Sequence, residues 1–203
     1  PSKAYVEEAH LGLWVTGKRV CGSWAHADED SSFCELNAYV QNIFARVGLT
    51  KNMMVVETSD NNIFASGLKV MTRGGKTVAE LGILSHKLQR AADIANPVYY
   101  ADIHWNTLMK AVRKNKLEYQ EISKYPAVSR DLALLIDNSV KFAQIEEIAF
   151  QTEKKLLKRV ELFDVYQGKN LPEGKKSYAV NFIIQDATRT LNDKAIDAIM
   201  TKL

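Results

Sequence analysis

The sequence predicts an α+β protein built from two regions that a polar link separates. In the first region, short alternating strands with turn residues between them surround one strongly one-sided helix. In the second region, the same periodicities occur in the order β-α-β-β-α. Residues 115–123 are charged and lack a sustained period, which places the domain boundary between residues 1–117 and residues 118–203.

Composition indicates a globular chain with little net charge. The 203 residues are 46% hydrophobic and 25% charged, with a formal net charge of +3. No apolar stretch approaches the ~20 residues of a membrane span, and residues 1–10 lack a signal-peptide pattern. The formal net charge is only +2 for residues 1–118 and +1 for residues 119–203. Any nucleic-acid contact must therefore come from a local cluster of Lys and Arg.

Histidines and cysteines occur singly along the chain. The spacing of Cys21 and Cys34 fits neither a metal site nor a redox motif. The four histidines are His10, His26, His86 and His104. These spacings predict no metal site, and they predict free thiols in a reducing compartment.

The elements of the first region follow from its periodicities. Residues 11–16 alternate as a strand, and Gly17 is expected to turn the chain into a hairpin with residues 19–24. Residues 34–47 carry a one-sided apolar stripe that includes Tyr39 and Phe44, and Gly48 is placed to end this helix. This stripe fits an internal core and a subunit interface equally well. The remaining predicted elements are strands at 53–58, 67–72, 77–85 and 98–104, and a short helix at 105–113.

The second region predicts an incomplete ferredoxin-like domain. A strand at 132–137 precedes a helix that begins near Phe142 and runs to about Leu157, and strands follow at 162–166 and 177–185. The last helix is expected to be capped by Thr190 or Asn192. A ferredoxin-like fold has a fourth strand beside the first, so the sequence predicts a domain that lacks its last strand.

The loop between the last two predicted strands is basic. It carries Lys169, Lys175 and Lys176, while Gly168 and Gly174 mark its turns. Paired strands on either side would hold these ammonium groups at one end of the sheet, a geometry that suits a polyanion. Solvated lysines are the alternative interpretation.

Four sequence words in the second region occur in a characteristic order. They are YPAVSRDLA from Tyr125, LFDVYQG from Leu162, GKKSYA from Gly174 and TLND from Thr190. On these words the chain resembles the bacterial phenylalanyl-tRNA synthetase beta-subunit family, with residues from Tyr125 onward resembling its ferredoxin-fold anticodon-binding domain. The first region resembles the distal part of that family's class II synthetase-like domain, through residues such as the strand ELGIL.

The resemblance implies a non-catalytic part of a tRNA ligase. In this family the alpha subunit holds the active site, and two alpha and two beta chains form a cytoplasmic heterotetramer. That holoenzyme uses ATP and Mg²⁺ to attach phenylalanine to tRNA(Phe). This chain is expected to hold no cofactor and to catalyse nothing alone. Its implied roles are to support the alpha subunit and to position tRNA.

Within this resemblance, five residues are the candidate tRNA contacts. Anticodon bases are read by aromatic platforms, and their phosphates are held by Lys and Arg. The candidates are Arg130, Lys169, Lys175, Lys176 and Tyr178. Two of them have alternative interpretations that the sequence leaves open. The row that includes Tyr178 can instead be core, which is the favoured interpretation for Phe182 and Ile184. Arg130 is equally able to pair with Asp131 or Asp164.

Two other functions are compatible with a ferredoxin-like domain. Such folds also form small-molecule-sensing regulatory modules, although the loop after the first strand, Asn138-Ser139-Val140, lacks the glycine that this function predicts. The other alternative is a structural interaction domain without RNA contact.

Overall fold

The computed structural model describes residues 5–115, 119, 121–168 and 171–203. It divides into two compact units, Pro1–Leu117 (unit 1) and Glu118–Leu203 (unit 2). Among the described residues, none of the helices has the length and apolar character that a bilayer span requires.

Unit 1 is built on a five-stranded antiparallel sheet. Its elements in chain order are β1 (His10–Thr16), β2 (Lys18–Val20), β3 (Glu29–Asp30), α1 (Phe33–Val47), β4 (Met54–Thr58), β5 (Phe64–Thr72), β6 (Thr77–Leu84), α2 (His86–Ala91), β7 (Val98–His104) and α3 (Trp105–Val112). The strand order is β1-β7-β6-β5-β4, and β2 pairs with β3 in a separate ribbon. The strands predicted at 11–16, 53–58, 67–72, 77–85 and 98–104 are confirmed. The strand predicted at 19–24 is wrong beyond Val20, and β3 and α2 are elements that the sequence patterns did not predict.

The hairpin predicted around Gly17 is wrong. Gly17 has a φ of 78°, so the chain does turn there. However, β1 pairs with β7 along its whole length, and β2 pairs with β3. Leu13 and Val15 of β1 pack on the core of unit 1. Because these side chains are buried when β1 lies beside β7, β1 pairs with this distant strand. The turn at Gly17 does not specify which strand β1 pairs with.

Helix α1 closes the core of unit 1 as its periodicity predicts. The side chain of Ser32 accepts a hydrogen bond from the Glu35 amide at its start, and Gly48 adopts the left-handed conformation at its end, with a φ of 82°. Leu36, Val40 and Phe44 are fully or almost fully buried. The apolar stripe is therefore internal core at these positions.

Unit 2 has the predicted order β-α-β-β-α. Its elements are β8 (Val128–Asp137), α4 (Phe142–Thr152), β9 (Leu157–Tyr166), β10 (Lys175–Ile184) and α5 (Asp193–Lys202). The strands form an antiparallel sheet in the order β8-β10-β9. Asn192 caps α5 by accepting a hydrogen bond from the Ala195 amide at 2.9 Å. Among the described residues, β8 pairs with β10 alone.

The predicted extension of α4 to Leu157 is wrong. The helix ends at Thr152, and β9 already begins at Leu157, which is buried opposite Ile184. The Glu153 carboxylate accepts hydrogen bonds from the Leu156 and Lys155 amides in the intervening turn, and these bonds lower the pKa of Glu153. Lys158 and Arg159, just after Leu157, therefore lie on β9.

Candidate nucleic-acid interface

One face of the unit 2 sheet is covered by both helices. The side chains of Val180, Phe182 and Ile184 on β10 are buried in the same core as Ile196 and Ile199 of α5. Strand alternation places the intervening β10 side chains on the other side. Among the described residues of unit 2, the sheet therefore has one packed face and one face that no helix covers.

The face without helices is called the open face. Its members follow from the register, because directly opposed residues of antiparallel strands share a face. They are Ser129, Asp131, Ala133, Leu135 and Asp137 on β8, Lys175, Ser177, Ala179, Asn181 and Ile183 on β10, and Arg159, Glu161, Asp164 and Tyr166 on β9. Most of these side chains are polar or small.

The structure corrects the expectation that Lys176 and Tyr178 meet a ligand. Both lie on the packed face, with only 6% and 8% of their surface exposed. Nζ of Lys176 donates to the Asn138 carbonyl at 3.0 Å and lies 4.7 Å from the centroid of the Tyr178 ring. That ring meets Phe142 edge-on at 6.5 Å. These two side chains belong to the core, so neither offers a free ammonium or an open stacking surface.

Arg130 is also separated from the open face. Its guanidinium lies 3.6 Å from the Asp193 carboxylate at the start of α5 and donates to the Ser129 carbonyl. It therefore pairs with neither Asp131 nor Asp164, the two partners considered from the sequence. Arg130 and Asp137 lie near opposite ends of β8. They are seven residues apart, which corresponds to about 23 Å along the strand.

Lys175 is the predicted lysine that the structure places on the open face. Its Nζ lies 2.7 Å from the Asp137 carboxylate, and both side chains are substantially exposed. An exposed ion pair of this kind contributes little to stability, about 0–1 kcal/mol, so the ammonium can exchange partners with a phosphate. Lys169, the remaining candidate, lies outside the described residues.

A shallow trough crosses the open face beside Lys175. Ser177 is directly opposite both Tyr166 and Leu135, and in the next row Ala179 is opposite Asp164 and Ala133. Ser177 thus lies between two larger side chains, whereas Ala179 has a larger neighbour only on the β9 side. Tyr166 and Leu135 are 45% and 54% exposed. The Tyr166 ring extends toward Gly168, so an exposed aromatic surface lies at this end of the open face.

The exposed aromatic end of β9 was missed at the sequence level. Phe163 lies where the register between β9 and β10 shifts, and it is 59% exposed. The Tyr166 ring folds over Gly168, where an added Cβ would lie only 2.5 Å from the tyrosine hydroxyl. The residue pattern of β9 indicates a strand with aromatic side chains. Which of those side chains lie on the open face depends on the bulge at Phe163, which the pattern does not show.

The far end of the open face is occupied by polar side chains that already have partners. The amide nitrogen of Asn181 donates to both Asp131 and Ser129. Arg159 pairs with Glu161 at 2.6 Å. The exposed ion pair of Arg159 is of the same kind as that of Lys175, so the exposed ring of Tyr166 is what distinguishes the Lys175 end of the face.

Unit 1 contains an apolar cavity of about 300 Å³. It is lined by Phe33, Ser66, Gly67, Leu68, Ile83 and Tyr99. None of these side chains is a carboxylate or a cation. ATP with Mg²⁺ requires carboxylate oxygens for the metal and cationic groups for the phosphates, so the cavity does not fit that ligand.

Two family models match separate parts of the chain. The phenylalanyl tRNA synthetase beta chain CLM domain matches residues 1–105. The ferredoxin-fold anticodon binding domain matches residues 123–203. The chain belongs to the phenylalanyl-tRNA synthetase beta-chain family. This finding confirms the resemblance that the four sequence words predict, as well as the ferredoxin fold of unit 2.

Curated relatives in this family align with nearly the whole chain. The phenylalanine–tRNA ligase beta subunit of Bacteroides thetaiotaomicron is 61% identical over 199 residues, covering 98% of this chain and 24% of the relative. That of Porphyromonas gingivalis is 48% identical, covering 100% and 25%. That of Syntrophotalea carbinolica is 30% identical, covering 98% and 24%. The chain spans about a quarter of the length of these beta-chain relatives.

Proposed function

We propose that this chain is a non-catalytic portion of a phenylalanine–tRNA ligase beta subunit, and that the open face of unit 2 contacts anticodon bases of tRNA(Phe). The observation that carries the proposal is the trough between Tyr166 and Leu135 on a sheet of the anticodon-binding family. Bases in an RNA loop are unstacked and are commonly bound by stacking on an aromatic ring.

Each side chain around the trough has a distinct role in this proposal. The Tyr166 ring stacks on one base. Ser177 lies in the same row as Tyr166 and Asp164 in the next one. At the edge of the base the Ser177 hydroxyl donates or accepts a hydrogen bond, and the Asp164 carboxylate accepts one. Lys175, in the row before Ser177, exchanges Asp137 for a backbone phosphate.

The proposal assigns unit 1 a supporting role. The match to the synthetase beta-chain domain favours contact with an alpha subunit, in a cytoplasmic heterotetramer of two alpha and two beta chains. ATP and Mg²⁺ then serve the alpha subunit during phenylalanine activation.

The test is Tyr166→Ala in a full ligase whose beta chain carries this sequence. Loss of one stacked base costs about 1–3 kcal/mol, so the Kd for tRNA(Phe) should rise roughly 5- to 150-fold. Tyr166→Phe keeps the ring and should bind nearly as well as the parent. Phenylalanine activation without tRNA, measured by pyrophosphate exchange, should be unchanged in both variants.

Lys175→Ala tests the phosphate contact in the same ligase. Losing one phosphate contact should reduce the slope of log K against log salt by about 0.7. A Kd for tRNA that is the same in the parent and in Tyr166→Ala contradicts stacking on the open face. An unchanged salt slope contradicts the role of Lys175.

A further inference from the structure

Two histidines of unit 1 are neighbours in space although they are distant in sequence. His10 on β1 and His104 on β7 are directly opposite in the antiparallel register. Their ring centroids are 4.5 Å apart. The backbone ladder holds this pair, because directly opposed residues project from the same face with their Cβ atoms only about 5 Å apart. The wide spacing of the histidines in the sequence concealed this arrangement.

Two carboxylates complete a cluster around the imidazoles. Nδ1 of His10 lies 2.8 Å from Oδ1 of Asp102, and its Nε2 lies 3.5 Å from Oε2 of Glu8. Nε2 of His104 lies 3.9 Å from the other oxygen of Asp102. One ligand atom from each of Glu8, His10 and His104 lies within 4.8 Å of the others.

His10 has a carboxylate opposite each of its two ring nitrogens. When Nδ1 of the neutral imidazole donates to Asp102, Nε2 carries a lone pair. That lone pair then faces the Glu8 carboxylate, which is also only an acceptor. A cation between Nε2 and this carboxylate would be held by both, while Asp102 would fix the tautomer from behind, as carboxylates do behind metal-bound histidines.

We propose that Glu8, His10 and His104 form a Zn²⁺-binding site on the edge of the unit 1 sheet, with Asp102 as the residue that orients His10. Two imidazoles and one carboxylate are a ligand set that Zn²⁺ accepts, and water takes the fourth position. Zinc bonds of about 2.0–2.1 Å place tetrahedral ligand atoms roughly 3.4 Å apart.

Closure of the site requires only a small movement. The ligand atoms must approach by up to about 1.4 Å from their present spacing. The Glu8 side chain is 69% exposed and can rotate without disturbing the core. Bound metal would join the edge strand β1 to β7 through side chains in addition to the backbone ladder.

The experiment is a Zn²⁺ titration of the 203-residue chain at pH 7.5 against a chromophoric chelator. Cys21 and Cys34 are both exposed, so both are replaced by Ser to remove competing thiolates. The parent should bind at a single saturable site. His10→Ala/His104→Ala should weaken that site by more than about 100-fold, because second-shell changes alone cost about 10- to 100-fold. Mg²⁺, which prefers oxygen ligands, should not compete.

The remaining two histidines provide the matched control. His26→Ala/His86→Ala removes the same number of exposed imidazoles and should leave the zinc affinity unchanged. Asp102→Asn should weaken binding by about 10- to 100-fold without removing a ligand. Co²⁺ in place of Zn²⁺ should give a visible absorption band in the parent that His10→Ala/His104→Ala lacks.

Two outcomes would overturn the proposal. One is equal zinc affinity in the two double-histidine variants, and the other is the absence of saturable binding in the parent. Circular dichroism and tryptophan fluorescence in EDTA check that each variant is folded. If His10→Ala/His104→Ala does not fold, Glu8→Gln and Asp102→Asn keep the backbone ladder and serve as the deciding variants.

Discussion

Lys176→Ala is expected to destabilise unit 2, whereas Lys175→Ala, one residue away, should leave the stability of unit 2 nearly unchanged. The two ammonium groups lie on opposite faces of β10. Lys176 donates to the Asn138 carbonyl and lies over the Tyr178 ring in the core. Lys175 pairs with Asp137 at the open face, where solvent screens the interaction.

The magnitude follows from these contacts. A hydrogen bond from a charged donor contributes about 1.5–3 kcal/mol, and a partly desolvated cation–π contact contributes about 0.5–2 kcal/mol. Removing the ammonium also relieves the cost of burying it, so we expect Lys176→Ala to cost about 3 kcal/mol. The exposed pair of Lys175 contributes about 0–1 kcal/mol.

Hydrogen exchange of unit 2 peptides measures this difference. All three tryptophans, Trp14, Trp24 and Trp105, lie in unit 1, so tryptophan fluorescence does not report the unfolding of unit 2. A loss of 3 kcal/mol should accelerate exchange of the β8 and β10 amides by roughly 10²-fold in Lys176→Ala. Equal protection of these amides in both variants would refute a core role for Lys176.

Two further predictions concern a glycine and a carboxylate. An added Cβ at Gly168 would lie 2.5 Å from the Tyr166 hydroxyl. Gly168→Ala should therefore displace the ring and raise the Kd for tRNA, while changing stability by about 0.5 kcal/mol or less, and an unchanged Kd would exclude this ring position from binding. For Glu153, hydrogen bonds from the Leu156 and Lys155 amides hold the pKa below its ordinary 4.5. The stability it contributes is present above pH 4.5 and is lost as the pH falls through the depressed pKa. Glu153→Gln should thus flatten the dependence of stability on pH below 4.5, measured by circular dichroism; a slope equal to that of the parent would contradict this.

Most elements could be predicted because their signals are local. The stripe of Leu36, Val40 and Phe44 has the helical period, and Gly48 ends α1 where a left-handed residue is needed. The errors occur where tertiary contacts decide. The burial of Leu157 in the sheet ended α4 early, and pairing with β7 drew β1 away from its predicted hairpin.

The candidate site was only partly predictable for the same reason. Lys175 is a candidate because a basic loop end is visible in the sequence, and its contact with RNA stays a prediction. The sequence offers Tyr178 as a candidate, but alternation along a strand makes two equivalent faces and does not say which one is packed. The bulge at Phe163 then changes which β9 residues face outward, and no local pattern marks it.

The sequence by itself determined the family, through four ordered words, and it determined nearly every strand and helix through periods of two and 3.6 residues. The tertiary structure decided which face of the unit 2 sheet is open, and it decided that His10 meets His104. Both decisions depend on which strands and helices pack together. Burial of apolar side chains across distant parts of the chain supplies that choice, and residue spacing does not encode it.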